Sequence, residues 1–228
     1  MYVRAIACSV CAMGVASAQG AISFTFADPS TPLEVTHTAG AAPDGVSGLL
    51  TYDAAVPMDF IVYSDEAGYA GGTFADATLS LSVVVGPAFG VGGLTGANLG
   101  EVSIEFFDSG GNLLLSGQAD GGTLSIVGGL SGAWTVNSTD VGGGLDWTAS
   151  GALLADLQSA GYDELVPSHD ASFTLTNVSP PAGLDPTSDY LPDFTANSAF
   201  TGTSNVPAPG ALALAGLVGI GASRRRRK

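Results

Sequence analysis

Between residues 19 and 178 the chain consists of short apolar runs separated by turn-forming residues. In the run TLSLSVVV a period near two places Leu79, Leu81 and Val83 on one face. That alternation is typical of a β-strand with one buried side. Strands are therefore predicted at ISFTF (22–26), LEVTHT (33–38), MDFIVY (58–63), TLSLSVVV (78–85), EVSIEFF (101–107), NLLLSG (112–117), TLSIV (123–127), AWTV (133–136) and ASFTLTNV (171–178).

Glycine pairs separate many of these runs, at positions 71–72, 92–93, 110–111, 121–122 and 128–129. Such pairs are typical of turns, because glycine adopts positive φ at little steric cost. Short strands with turn signals at this spacing predict an all-β, antiparallel β-sandwich or jelly-roll-like domain over residues 19–178. Segment 151–162 differs, because three leucines at helical spacing precede a stop at Gly161; it predicts one short helix.

Charge divides the chain into an acidic body and two basic ends. The six Lys and Arg residues are Arg4 and the run 224–228, whereas the 21 Asp and Glu residues lie between Asp28 and Asp193. A body with only negative charge repels phosphate backbones and has no counterions to displace from them. Nucleic acid is therefore not expected as a partner.

The first 18 residues have the pattern of a secretory signal peptide. An arginine precedes the apolar run 5–15, and Ala16 and Ala18 give the small-x-small spacing of a cleavage site. We expect signal peptidase to cut between Ala18 and Gln19. Both cysteines fall inside this segment, so the mature protein is expected to have no disulfide and no thiolate nucleophile.

The C-terminal segment predicts a membrane element. Residues 206–223 carry no charge and could form a helix of about 27 Å, near the lower limit for crossing a bilayer. The basic residues that follow favour the cytoplasmic side, which leaves the acidic body outside. They are Arg224, Arg225, Arg226, Arg227 and Lys228. The preceding residues 179–205, rich in Pro, Ser, Thr and Asp, are predicted to be a spacer.

The order of proline signature, apolar segment and terminal arginine cluster resembles the PEP-CTERM sorting signal of bacterial exported proteins. The signature here is Val206-Pro207-Ala208-Pro209, with Ala208 where the family usually has Glu. The resemblance implies recognition by an exosortase-like membrane transpeptidase that cleaves near the signature. The body would then pass to the cell envelope, the cell surface or the extracellular matrix. Family members are common in bacteria that make exopolysaccharide, which is therefore an expected partner.

Catalytic residues are not singled out by the sequence. The body holds two histidines, of which His37 shares a predicted strand face with Val35 and is interpreted as a half-buried or edge residue. His169 lies beside Asp170 and near Ser168, a set that could form a Ser-His-Asp triad. The chain has no G-x-S-x-G motif, however, and no pair of carboxylates stands out. We assign no catalytic residue and expect no enzyme activity.

Calcium is the one cofactor that the acidic composition leaves open, since flexible carboxylate oxygens suit this cation. The candidate ligands are Asp185, Asp189 and Asp193 in the linker, and Asp163 and Glu164 near Asp170. No calcium-loop motif accompanies them, so no cofactor or metal ligand is assigned. The aromatic residues are interpreted as core and turn positions rather than as a carbohydrate platform; they include Trp134, Trp147, Tyr162 and Tyr190.

These observations favour an exported structural or adhesive protein of the bacterial surface. Two alternatives stay open, a surface hydrolase that acts on polysaccharide and a calcium-dependent carbohydrate-binding module.

Overall fold

The computed structural model describes residues 19–27, 35–53, 57–64, 69–137, 144–184 and 188–207. These ranges contain twelve strands, along which side chains alternate between the inside and the outside, and one helix. The strands are β1 (Gln19–Ala27), β2 (Val35–Thr38), β3 (Gly48–Asp53), β4 (Met58–Ser64), β5 (Gly72–Val91), β6 (Leu94–Phe107), β7 (Leu113–Asp120), β8 (Thr123–Val127), β9 (Ser131–Asn137), β10 (Asp146–Ala149), β11 (Val166–Ser179) and β12 (Phe194–Pro207). The helix is α1 (Gly151–Ser159).

The strands pair antiparallel throughout, which confirms the all-β prediction at this level. Their order is β1-β4-β5-β3-β2-β12-β11-β9-β8-β6-β7-β10, and two further pairings, β1–β12 and β5–β6, close the sheet on itself. Closure depends on long strands that change partners along their length. The first part of β12 pairs with β2 and the last part pairs with β1, while β11 runs along its other edge.

The predicted face of β5 is buried, since Leu79, Leu81 and Val83 are at most 4 % exposed. Register shifts on either side of Val85 let β5 continue past Pro87, which the sequence pattern had placed outside the strand. A β-bulge of this kind tolerates a proline that cannot donate to the ladder.

Aromatic side chains fill the core. The ring of Phe106 lies with its centroid 4.6 Å from that of Phe60 and 4.9 Å from that of Phe200. Trp134 stacks on Phe173 at 4.2 Å. Such pairs add about 0.5–1.5 kcal/mol each beyond the burial of their apolar area.

The predicted turns and helix are also found. Gly92 and Gly93, both at positive φ, form a two-residue connection between the paired ends of β5 and β6, the geometry that a tight hairpin requires. The helix α1 buries Leu153 and Leu157 against the sheet, and Gly161 follows its end at φ +91°.

The spacer prediction is wrong over residues 194–205, because these residues belong to β12. This strand lies between β1 and β2 on one side and β11 on the other, so the folded unit extends to Pro207 rather than ending at 178. Its inward positions hold mainly small or polar residues, namely Ala196, Ser198, Gly202 and Ser204. A strand of this composition has the same residue types as a linker.

The two predicted terminal signals lie mostly outside the described residues, which exclude 1–18 and 208–228. Val206 and Pro207, predicted to begin the transmembrane helix, are instead the last residues of β12. Within the described ranges, no helix combines the length and the apolar character needed to span a membrane.

Candidate functional site

His169 lies on β11 and contacts side chains of β10 and β12, near the C-terminal end of β12. Alternation along β11 turns this ring inward, and it is 1 % exposed. Its Nδ1 lies 2.9 Å from the Oγ of Ser204 on β12, and its Nε2 lies 3.3 Å from the Oδ1 of Asp146 on β10. A neutral ring with its proton on Nε2 fits both contacts, because Nδ1 can then accept a hydrogen bond from the hydroxyl of Ser204.

This Ser-His-Asp set differs from the one that the sequence suggested, because Ser204 and Asp146 contact the ring instead of Ser168 and Asp170. Ser168 is exposed on the opposite side of β11, whereas Ser204 is 1 % exposed. A serine nucleophile must reach a substrate carbonyl, and this buried hydroxyl cannot do so while β12 is in place. Burial also lowers the pKa of His169, although Asp146 opposes that effect. The geometry supports a structural role for His169, in which its ring links β10, β11 and β12.

His37 is more buried than the sequence predicted, and it lies within the sheet rather than at an edge. It is 1 % exposed on β2, between β3 and β12. Its Nδ1 donates to the carbonyl oxygen of Pro192 at 2.9 Å, and its ring stacks on Phe194 with centroids 5.0 Å apart. Burial lowers the pKa of His37, while the Pro192 carbonyl and the charge of Asp193 favour the protonated ring.

An open cleft of about 430 Å³ lies beside His169, between β10, α1 and the segment that precedes β11. Three carboxylates line it, those of Asp146, Asp163 and Glu164. Asp146 is 77 % exposed and connects the cleft to the buried imidazole. The sequence pointed to Asp163 and Glu164 but not to Asp146, which is distant from them along the chain.

Two of the other carboxylates considered for calcium, those of Asp170 and Asp193, accept hydrogen bonds within the fold. Asp170 accepts hydrogen bonds from the backbone N–H and the hydroxyl of Thr203, at 3.1 and 2.8 Å. Asp193 accepts one from the backbone N–H of Ala39 at 2.7 Å, and Asp185 lies outside the described residues. Among the residues that the structure describes, no group of three or more His, Cys, Asp or Glu side chains could hold a metal ion.

The aromatic residues that could have formed a carbohydrate platform are mostly in the core. Trp134, Trp147 and Tyr162 are at most 2 % exposed, which confirms their interpretation as core residues. Tyr190 is partly exposed in the segment before β12. The indole N–H of Trp147 donates to the carbonyl oxygen of Asp170 at 3.1 Å, so this polar group is satisfied inside the fold.

Two residues at the borders of the predicted terminal signals lie opposite each other in the sheet. Gln19, the expected first residue of the mature protein, pairs with Pro207 of the proline signature. Val206 is fully buried. Ala16, Ala18, Ala208, Pro209 and the basic run 224–228 lie outside the described ranges.

Comparisons with protein-family models, with curated proteins and with solved structures found no match.

Proposed function

We propose that this chain is an exported structural or adhesive protein of the bacterial surface, carried outward by residues 1–18 and sorted through residues 206–228. The observation that supports this best is the distribution of charge around the folded unit. Every Lys and Arg lies before Gln19 or after Pro207, and the residues between carry all 21 carboxylates. Two basic ends flank one acidic unit, as a signal peptide and a sorting signal would.

The pairing of Gln19 with Pro207 also supports this proposal. Both signals would leave the folded unit at the same end, so the precursor could keep both at one membrane while its acidic body faces outward. The unit begins where signal peptidase is expected to cut and ends within the proline signature. The processing enzymes proposed here, signal peptidase and an exosortase-like transpeptidase, would therefore act directly at its border.

We also propose that the closed sheet is arranged as a sandwich or jelly roll. Core contacts join strands that are not hydrogen-bonded to each other, as the two faces of a sandwich do. Phe24 of β1 contacts Trp147 of β10 at 6.0 Å between ring centroids, although these strands are at opposite ends of the strand order. Phe106 of β6 contacts Phe200 of β12 in the same way.

Intact-mass analysis of the protein from the native cell surface tests the sorting proposal. Wild-type cells should yield a species that starts at Gln19 and lacks the basic run 224–228. A strain without the sorting enzyme should yield a species that keeps the full tail. Recovery of Lys228 on the mature wild-type protein would contradict sorting by cleavage.

Incubation with extracted matrix polysaccharide separates the alternatives. Binding without product release is expected for a structural protein, whereas release of sugar fragments would indicate a hydrolase. Binding that disappears when EDTA removes calcium would indicate the calcium-dependent carbohydrate-binding module instead.

A further inference from the structure

The proline signature crosses the border of the folded unit. Its first residue, Val206, follows the alternation along β12 that turns every second side chain inward, and it is fully buried. Val206 belongs to the hydrophobic core together with Phe200, and only Gly202 and Ser204 lie between them on that face. Val206 is therefore the last large apolar side chain that β12 contributes to the core.

Both neighbouring strands hold this end of β12. On one side Val206 pairs with Gly20 of β1. On the other side the register of the pairing with β11 shifts, and a side-chain contact bridges the shifted stretch. There the Oγ of Ser204 lies 2.9 Å from Nδ1 of His169. Because Val206 is buried as a whole residue, no second molecule can reach it while β12 is docked.

An enzyme that recognises a linear segment binds it in an extended form, with its side chains in pockets of the enzyme. Val206 cannot enter such a pocket while its side chain lies in the core and its backbone is paired. Pro207 is partly exposed, and Ala208 and Pro209 lie outside the described residues. The part of the signature that a folded chain can offer to an enzyme therefore begins at Pro207.

We propose that the sorting enzyme acts on the folded precursor and reads the signature from Pro207 onward, whereas Val206 serves the fold alone. This rests on the proposed function, since it takes residues 206–209 as the sorting signature. Pro207 suits the border between the two roles, because proline has no backbone N–H to donate and is found at strand edges and ends. Val206 closes the core, and Pro207 begins the segment that the enzyme binds.

Folding and sorting then do not compete for the same residue. No pair of the β1–β12 ladder has to open, so the body can fold after export and stay tethered by its tail until the enzyme cuts. An enzyme that needed Val206 would bind only chains with an open strand end. Exposing one buried valine makes such chains about ten- to a hundredfold rarer, and the apparent affinity would fall by the same factor.

Substitutions within the signature separate the two roles. Val206→Ala should lower the midpoint of thermal unfolding by about 3–8 °C, because it leaves a cavity in the core. It should keep the rate at which residues 224–228 are removed within about twofold of wild type. Pro209→Ala is the matched control, since β12 ends at Pro207. This control should leave the midpoint unchanged and slow tail removal at least about tenfold.

A disulfide across the end of β12 tests whether this strand has to open. Ala21 and Asn205 are cross-strand partners at the border, and Thr25 and Thr201 are partners further along the same two strands. Facing positions on antiparallel strands have the Cα separation that a disulfide needs. Ala21→Cys with Asn205→Cys gives a border lock, and Thr25→Cys with Thr201→Cys gives its matched control. Both natural cysteines lie within residues 1–18, so the exported body offers no competing thiol.

The full-length precursor is taken from a strain without the sorting enzyme, which lets it fold before it is added to membranes of wild-type cells. Both oxidised variants should lose residues 224–228 at a rate within about twofold of the wild-type precursor. If the strand end had to open, the border lock alone would slow tail removal by more than about tenfold, and dithiothreitol would restore it. That result would overturn the proposal.

Equal slowing of tail removal by Val206→Ala and Pro209→Ala would also overturn the proposal, because the enzyme would then read Val206. Tail removal that Pro209→Ala leaves unchanged would overturn it as well, because the enzyme would then not read the signature beyond the fold. A wild-type precursor that keeps residues 224–228 on these membranes would instead contradict sorting itself. The two failures therefore give different results.

Discussion

At the scale of single residues, the close contact between Gly48 and the ring of His37 is a strong constraint. The ring of His37 is held by its hydrogen bond to Pro192 and by stacking on Phe194. A Cβ added to Gly48 would collide with the atoms of that ring. The neighbouring strand must therefore carry a glycine at this position.

Gly48→Ala is expected to lower the free energy of unfolding by about 1–3 kcal/mol, the usual cost of overpacking a core. Gly100→Ala on β6 is the matched control, because its Cβ would make an ordinary contact 3.4 Å from Val84. That control should change the free energy of unfolding by less than about 1 kcal/mol. Urea denaturation measures both values, and equal losses in the two variants would refute the steric argument.

The two buried histidines should make stability fall as the pH is lowered. Burial lowers the pKa of both His37 and His169, so the folded state favours their neutral forms. Protonation below an unfolded pKa of about 6.5 therefore stabilises the unfolded chain. This stability is fully present above pH 6.5 and declines below it. Unfolding free energies at pH 7.5 and 5.5 should differ by at most about 1.4 kcal/mol per histidine.

Replacing each histidine tests this assignment. His37→Gln should remove more of the pH dependence than His169→Gln. The exposed carboxylate of Asp146 favours protonation of His169 in the folded state, and solvent at this contact screens the remaining penalty. Protonation of His169 therefore lowers the free energy of unfolding less than protonation of His37. The double variant should unfold with nearly the same free energy at both pH values. An unchanged slope in the double variant would assign the pH dependence to carboxylates instead.

At the scale of elements, β12 decides whether the fold closes. It pairs with β1, β2 and β11, and it places Phe194, Phe200 and Val206 in the core. A chain that stops after Asp193 should therefore lose its cooperative thermal transition. A chain that stops after Pro207 should keep it, because every pairing of the sheet is retained. Near-UV circular dichroism during heating compares the two, and identical transitions would restore the spacer interpretation.

The sequence predicted strands well where β-branched and large apolar residues alternate, as in β5. It did not predict β3 (Gly48–Asp53), β10, which is only the four residues Asp146–Ala149, or β12, whose inward positions are largely small or polar. Tertiary pairing, not local propensity, holds such segments extended. The partners of His169 were beyond prediction for the same reason, since the fold brings Ser204 and Asp146 to it from separate strands.

At the scale of the whole molecule, the fold pairs its first strand with its last. The β1–β12 ladder runs through nine residue pairs, from Gln19–Pro207 to Ala27–Ala199. Removal of the proposed signal peptide before Gln19 would leave this ladder intact, because β1 begins at that residue. The C-terminal border is equally sharp, since Val206 is buried and still paired.

That border limits where the proposed sorting enzyme could cut the folded protein. Proteases act on exposed backbone that is free of hydrogen bonds, and β12 is paired with neighbouring strands up to Val206. The processed protein should therefore end at Pro207 or beyond, a position that intact mass resolves to one residue. A terminus before Val206 would mean that the enzyme opens β12 or acts before folding. Retention of residues 224–228 would instead contradict sorting itself. One mass spectrum therefore distinguishes cleavage within β12 from the absence of sorting.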